Sequence, residues 1–549
     1  MLQIERIKLN LSENEDLLRR RAASVLRISP NEIQTLAILR RSVDARDGVQ
    51  FVYTLRVTVK NEKEVLRRCR SRAVSRVEDK PYRLPKAIPA PKLPPVVVGA
   101  GPGGLFCALT LARCGARPIL LERGKCTEER KADVEHFWKT GELDLNSNVQ
   151  YGEGGAGAFS DGKLNTGTKD LRHRFILETL VAHGAPESIL YDAKPHVGTD
   201  YLHRALISLR RELIDLGCDI RFGHRVSDIT VENGAVTALT VISPNGEYIL
   251  PAEKVVLALG NSARDTFEML HAHAVPMEAK PLAVGVRIEH HQSDMDATQY
   301  GEAAGHPRLG AASYKLSCHL DNGHSVFSFC VCPGGEVVAA ASEQQRAVTN
   351  GMSHYARDGQ NINGGLLVSV TPEDFPGDGP LAGIAFQRQL EERAFEAGGG
   401  GFIAPAQRVE DFLAHRASTA PGKVIPTYRP GVRWCDLWDV LPDFVCQSLE
   451  KALPELDRKL PGFAAGDAVL TAVESRSSCP LRILRDESGQ SAVRGLFPCG
   501  EGAGYAGGIL SAAADGMKTA EKVLEMLTGD VCRCKAAVKG ISSLNGCFA

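Results

Sequence analysis

Val96-Val97-Val98-Gly99-Ala100-Gly101-Pro102-Gly103-Gly104 is an apolar, β-branched run that ends in a glycine-rich turn, and Leu105 to Cys114 continues it with helical spacing. The run predicts a buried parallel strand. Gly99 permits a tight strand-to-helix turn, Gly101 lets the backbone approach a pyrophosphate, and Gly104 lets helix and strand pack closely. Gly99, Gly101, Pro102, Gly103 and Gly104 are therefore candidate cofactor contacts. The helix that follows points its first N–H groups and positive dipole end at the same place. A second apolar run, Pro118 to Leu121, ends at Glu122, 18 residues beyond Gly104. That carboxylate is placed to accept hydrogen bonds from an adenosine ribose. Glu122 argues against a 2′-phosphate on the ribose, whereas neighbouring Arg123 argues for tolerance of one. The motif follows a strand, opens a helix and precedes an acid, which is the context a dinucleotide-binding turn requires.

The rest of the chain bounds the setting. At 549 residues it is too long for one core, so two or three domains are expected. An apolar content of 43% and a charged content of 24% are those of an ordinary soluble protein. A net charge of −1 gives no global reason to bind nucleic acid or acidic lipid. No apolar stretch approaches the ~20 residues needed to span a bilayer, so no membrane partner is expected. Met1 to Glu5 enters structured sequence at once and lacks the apolar core of a signal peptide, which predicts a cytoplasmic location. The 15 cysteines are scattered and odd in number, the pattern of small buried hydrophobes. There is no CxxC or HExxH, and Cys330/Cys332 and Cys532/Cys534 lack histidines at ligand spacing, so no metal is expected.

Residues 1–80 read as a small ferredoxin-like α+β module. Gln3 to Leu11 alternates as a strand, and Glu13 to Val25 has helical spacing with Ser12 and Glu15 as a capping box. Gln34 to Val43 and Gln50 to Val59 are strands about the turn Asp44 to Gly48, and Glu62 to Arg72 is a helix. Residues 1–83 carry 19 Lys/Arg against 11 Asp/Glu, so the module is basic. No RNP-type aromatic pattern accompanies that charge, and a solvated face is the simpler reading. Residues 81–95 hold six prolines and predict a semi-extended linker. The organisation expected beyond it is a Rossmann-like dinucleotide domain in two parts, 96–275 and 470–530. A substrate or cap domain at 276–469 is inserted between them, and residues 531–549 form a loose tail.

The first turn serves NAD or FAD equally, so the choice rests on the far end of the chain. Gly495-Leu496-Phe497-Pro498-Cys499-Gly500-Glu501 is a short apolar strand running into an acid. Gly507-Gly508-Ile509-Leu510 then opens a helix through about Leu527. This resembles the FAD enzymes of the glutathione-reductase superfamily, in which such an acid bonds the ribityl or diphosphate region and the helix start faces the flavin N1–C2=O edge. The electrostatic reason is that reduction leaves negative charge at N1/O2, which free amides and a positive dipole end stabilise. Glu501 stands where an Asp is usual, and Gly500, Gly508 and Ile509 complete the contact. Val255 to Gly260 matches the strand that returns past the cofactor, and Asp219 to Val226 the strand whose Val226 backbone meets the adenine edge.

The chain further resembles the bacterial FAD-dependent dehydrogenase-like proteins, a branch of that superfamily with a single dinucleotide domain. The likeness is carried by Gln150 to Leu164, Phe327 to Gly335, Glu474 to Ile483, Gly500 to Gly516, and Ser42 to Arg46 in the N-terminal module. Cys479 departs from it, standing where a Ser is expected. The resemblance implies non-covalent FAD and an oxidoreductase, with no defined substrate.

Six glycines from Gly152 to Gly167 suit a loop laid against a flat ring. They place Gly155 and Lys163 beside the cofactor, with Lys163 either near flavin N5 or on an anionic substrate, against the simpler reading of a surface lysine. Arg476 and Arg482 offer planar forks for a carboxylate or phosphate, or internal ion pairs with Glu474 or Asp486. Lys163, Arg476 and Arg482 are the catalytic candidates. Alternation puts Cys330 and Cys332 on one strand face, as a redox dithiol or as inert packing. The fold class expected is α/β, a Rossmann-like FAD-binding domain with an inserted α+β cap and a ferredoxin-like N-terminal module. The function expected is hydride transfer between a small, anionic or neutral substrate and flavin N5, with NAD(P)H as a transient donor. An RNA-binding flavoprotein and a flavin-stabilised interaction protein without turnover are the alternatives.

Overall fold

The computed structural model describes residues 1–69, 71–78 and 80–544, with side chains as far as Gly529. Alternating apolar residues build the first layer. β1 (Leu2–Asn10), α1 (Leu17–Leu26), β2 (Ile33–Asp44), β3 (Gln50–Val59), α2 (Glu62–Arg68) and β4 (Val74–Arg76) form an antiparallel sheet in the order β2-β3-β1-β4. This is the ferredoxin-like order, completed by β4, a strand too short to read from its residues. Leu2, Ile4, Tyr53 and Leu55 bury one sheet face against Leu18, Ala22 and Leu26 of α1.

The box expected at Ser12 and Glu15 does not form. α1 starts at Leu17, Glu13 accepts from the Asn10 N–H at 2.7 Å, and Glu15 accepts from the Tyr53 hydroxyl at 2.8 Å. A box of that chemistry instead joins Ser29 and Glu32. α2 stops at Arg68, short of Arg72, because Cys69 turns extended. The proline-rich stretch that follows is seated on its neighbours. The Tyr82 hydroxyl donates to Glu521 at 2.6 Å, and the Ile88 N–H donates to the Cys114 carbonyl at 2.8 Å.

Next come β5 (Val96–Val98), α3 (Pro102–Arg113), β6 (Ile119–Glu122), α4 (Thr127–Thr140), α5 (Arg172–Ala182), α6 (Gly198–Asp215) and β7 (Asp219–Phe222). β8 (Arg225–Glu232), β9 (Ala235–Ser243), β10 (Gly246–Pro251), β11 (Val255–Leu257), α7 (Arg264–Ala272) and β12 (Met277–Ala279) follow. The middle of the chain holds β13 (Leu282–His291), α8 (Gln292–Tyr300), β14 (Ser317–His319), β15 (Ser325–Cys332), β16 (Glu336–Ala339), β17 (Thr349–Met352) and β18 (Asn361–Val370). It continues through α9 (Ala382–Gly398), β19 (Ala404–Arg408), α10 (Val409–Leu413), β20 (Val432–Trp434), α11 (Asp443–Lys459) and β21 (Val469–Glu474). β22 (Leu481–Ile483), β23 (Leu496–Pro498) and α12 (Ile509–Leu544) end it.

A parallel sheet in the order β23-β11-β5-β6-β7 is the frame of the site. Its strands are short, and β5, β6, β11 and β23 are buried throughout, covered on one face by α3 and α12 and on the other by β8, β9 and α7. The stretch Asp219 to Val226, expected as one strand, is two. Gly223 takes a positive φ of 71°, and the N–H groups of Gly223 and His224 donate to the Gly124 and Glu122 carbonyls. β7 therefore closes the parallel sheet, while β8 starts the separate antiparallel sheet β10-β9-β8.

The inserted part is a seven-stranded sheet in the order β14-β15-β18-β13-β21-β19-β20, with α9 and α11 on its core. β21 lies between β13 and β19 and is wholly buried, so this sheet extends to Glu474, past the boundary expected at 469. β12 and β22 pair antiparallel where the chain leaves and re-enters the parallel-sheet region. α12 packs along α3, and it runs to Leu544, into the stretch expected as a tail; residues 545–549 lie outside the described ones. Among the described residues, no helix is long and apolar enough to cross a membrane.

Candidate functional site

The parallel strands end at one cavity, and the glycine turns of the sequence meet there. Gly99, Gly101, Pro102 and Gly103 line it beyond β5, and Glu122 and Arg123 beyond β6. Gly155 and Lys163 reach it from the glycine loop, Val226 from β8, and Gly260 from the turn after β11. Gly500, Glu501, Gly508 and Ile509 close it between β23 and α12. The starts of α3 and α12 thus open on the same space. No side chain caps α3 at Gly101, which leaves its first-turn N–H groups to an anion. A Cβ on Gly260, Gly507 or Gly508 would meet nothing within 4 Å, so these glycines leave a hollow.

Gly104 does not line the cavity. A Cβ there would sit 1.8 Å from the Gly99 carbonyl oxygen, so its task is contact between helix and turn. Arg482 is absent too. It faces outward, paired with Glu278 at 3.1 Å and resting on the Tyr505 ring, because β22 points it away from the sheet ends.

The acid at the end of β6 knits the turns together. Glu122 Oε2 accepts from the Ala100 N–H at 2.7 Å, and Oε1 accepts from the N–H groups of Gly124 and Gly152, each at 2.9 Å. Arg123 pairs with Asp265 at 2.8 Å and lies over the Tyr151 ring. Arg130, fully buried on α4, donates to the carbonyls of Asn148, Val149, Glu153 and Gly155. A single planar fork thereby shapes the glycine loop. Burial lowers the Arg130 guanidinium to a pKa of about 10, with Glu122 and Glu153 opposing. Neither Arg130 nor Tyr151 carries a local sequence signal of this role.

Lys163 is no surface lysine. Its Nζ lies 2.9 Å from Asp161 Oδ2, and Arg357 Nε donates to the same carboxylate at 2.9 Å. Burial alone would raise the Asp161 carboxyl, but Lys163 and Arg357 outweigh it and hold it at about 2. Arg476 lines the cavity, yet its fork is engaged. Its Nε and Nη2 donate to Glu391 at 3.0 and 2.8 Å, and Glu391 also receives Arg264 at 2.7 Å. Internal pairing is therefore the outcome for Arg476, with Glu391 of α9 as partner in place of Glu474 or Asp486.

Glu474 belongs instead to Arg287, whose Nη2 donates to it at 2.8 Å. Burial pushes the Glu474 carboxyl up to about 7 against the opposing charge of Arg287. Glu501 accepts from the Asn261 side chain at 3.0 Å, and burial lifts it to about 7, with Asn261 and Lys280 opposing. Cys479 sits fully buried with its Sγ 3.2 Å from the Gly502 carbonyl oxygen, behind the same turn.

The strand carrying Cys330 and Cys332 is not flat. A bulge falls between Phe329 and Cys332, and Cys330 has a φ of 39°. Cys330 consequently faces the cavity while Cys332 is wholly buried. Regular alternation had placed both on one face.

Known proteins resemble the chain in three ways. Residues 281–477 match the family described as "FAD-dependent protein, C-terminal domain-like", and residues 1–60 match a domain of unknown function. Among solved structures, a triple mutant of the flavin-dependent brominase Bmp2 shares 13% identity with a TM-score of 0.38, covering 79% of this chain and 80% of that one. The FAD complex of glycerol-3-phosphate dehydrogenase from Bacillus halodurans shares 13% with a TM-score of 0.35, covering 80% and 65%. An uncharacterized protein of Clostridium beijerinckii is 46% identical over 95% of this chain and 98% of its own length, and the chain belongs to the family of that protein.

Proposed function

We propose that the chain is a FAD-dependent oxidoreductase of the single-dinucleotide-domain branch of the glutathione-reductase superfamily. In this reading a hydride passes between a small molecule and flavin N5, with NAD(P)H as a transient donor. One observation carries it: the glycine-lined start of α3, which no side chain caps, and the glycine-lined start of α12 open on one cavity at the ends of a parallel sheet. The match of residues 281–477 to a FAD-dependent family supports the choice of FAD over NAD.

Gly99, Gly101, Pro102 and Gly103 would hold the diphosphate with the first turn of α3. Glu122, Arg123 and Val226 would meet the adenosine half, and Glu501, Gly508 and Ile509 the flavin half. When bound, the flavin supplies two-electron chemistry. The chain's own residues do the remainder. The start of α12 offers N–H groups to developing negative charge. Lys163, fixed by Asp161, carries a positive charge into the cavity. Glu501, at about 7, can hold or release a proton near neutrality. The proposed substrate is small, because Arg476 has no free fork to anchor a large anion.

The test is direct. Purified protein is expected to be yellow and to release FAD on heating, whereas Gly101→Trp, which fills the diphosphate hollow, yields colourless folded protein. Equal flavin retention in both would overturn the reading. An anaerobic metabolite screen for bleaching of the bound flavin then identifies the donor.

A further inference from the structure

Cys330 and Cys332 are brought together by the fold in a way that packing does not require. In a flat strand, residues two apart hold their Cβ atoms too far apart for an unstrained disulfide. The bulge at this point and the positive φ of Cys330 remove that flatness. Cys332 Sγ lies 3.3 Å from the Cys330 carbonyl oxygen, so the inner thiol turns back on the residue two before it. Arg287 fixes this corner by donating to the same carbonyl at 2.8 Å.

The surroundings are those of a reactive thiol. Lys163 and Arg287 face the pair, and their positive charges favour thiolate over thiol at Cys330. Asp161 and Glu474 are close as well, but each is already paired, with Lys163 and with Arg287. Cys330 lines the cavity together with Lys163, Glu474 and Glu501. Cys332 is sealed behind it. An outer thiol open to the cofactor space and an inner thiol held against the carbonyl of the same residue have the arrangement of a nucleophile and a resolving partner.

We propose that Cys330 and Cys332 are a redox couple that exchanges an electron pair with the bound flavin, giving the protein a second two-electron store. The inference rests on the flavin reading of this cavity. In the oxidative direction two S–H bonds break and one S–S bond forms. Two electrons and one proton pass to oxidised FAD, giving its reduced anion, and the second proton leaves to solvent. The reverse step, from reduced flavin to the disulfide, regenerates both thiols. The outer sulfur then suits a small thiol or disulfide as the exchanging substrate.

Anaerobic titration of the air-oxidised holoprotein with dithionite tests this. Wild type is expected to take up four electrons per flavin, and Cys330→Ser and Cys332→Ser two each. Mass spectrometry of the oxidised wild type is expected to show residues 330 and 332 joined, two hydrogens lighter than in the reduced protein. Uptake of two electrons by flavin-loaded wild type, with both thiols free after oxidation, overturns the proposal and leaves the flavin reading standing. Protein that binds no flavin overturns both. The wild-type electron count and mass decide the matter even where a serine variant does not fold.

Discussion

A single methyl group separates two kinds of glycine in the first turn. At Gly104 a Cβ would be driven to 1.8 Å from the Gly99 carbonyl oxygen, whereas at Gly101 the nearest atom would be 3.9 Å away. Gly104→Ala is therefore expected to lower the melting temperature markedly. Gly101→Ala should leave it unchanged and weaken flavin retention, as thermal unfolding of flavin-free protein and absorbance on loading will show. Glu501 gives a second residue-scale prediction. Its carboxyl stands at about 7 in the folded protein, above the ordinary 4.5, because burial penalises the charged form. A raised carboxyl contributes stability that is complete below about 4.5 and is lost as the pH rises through about 7. Glu501→Gln, which keeps an acceptor for Asn261, should be more stable than wild type at pH 8 by up to about 3 kcal/mol. The difference should vanish near pH 5 in a thermal-unfolding series on flavin-free protein.

At the scale of elements, the joint between the two large sheets is electrostatic. Glu391 on α9 is fully buried and receives Arg264 from α7 and Arg476 from the segment after β21. The two arginines hold its carboxyl well below the usual range despite burial. Removing one partner from such a cluster leaves uncompensated buried charge, at a cost of about 3–5 kcal/mol. Glu391→Leu is expected to lose that much in urea unfolding, and to bind flavin less tightly because Arg476 and Ser262 lose their positions. Local features were legible in the residues: Val96 to Gly104 sets its own strand, turn and helix, and Gly500 to Ile509 does the same at the far end. The Arg130 fork, the Arg287–Glu474 pair and the Glu391 cluster were not, because each joins residues distant in the chain and leaves no periodic trace. The bulge at Cys330 was hidden for a related reason. It is imposed by pairing of β15 with β18, not by anything within β15.

Across the whole molecule, the N-terminal module stands on its own core. Its contacts with the rest include Arg41 with Asp192 at 2.8 Å and Arg308 with the Leu11 carbonyl at 2.7 Å. Among the described residues, none before Val98 lines the cavity. A chain beginning at residue 81 is therefore expected to retain FAD at wild-type stoichiometry, measured by absorbance of the purified protein. Loss of the flavin would assign the module a part in holding it.

α12 meets α3 so closely that a Cβ on Gly516 would fall 2.0 Å from the Gly103 carbonyl oxygen. During synthesis the first of these helices leaves the ribosome long before the second exists. The nascent chain must wait, with its nucleotide turn half built, until the final segment arrives to latch it. Capture of the prosthetic group is thus a terminal event in biogenesis, and a polypeptide released early, short of Ile509, would emerge without colour.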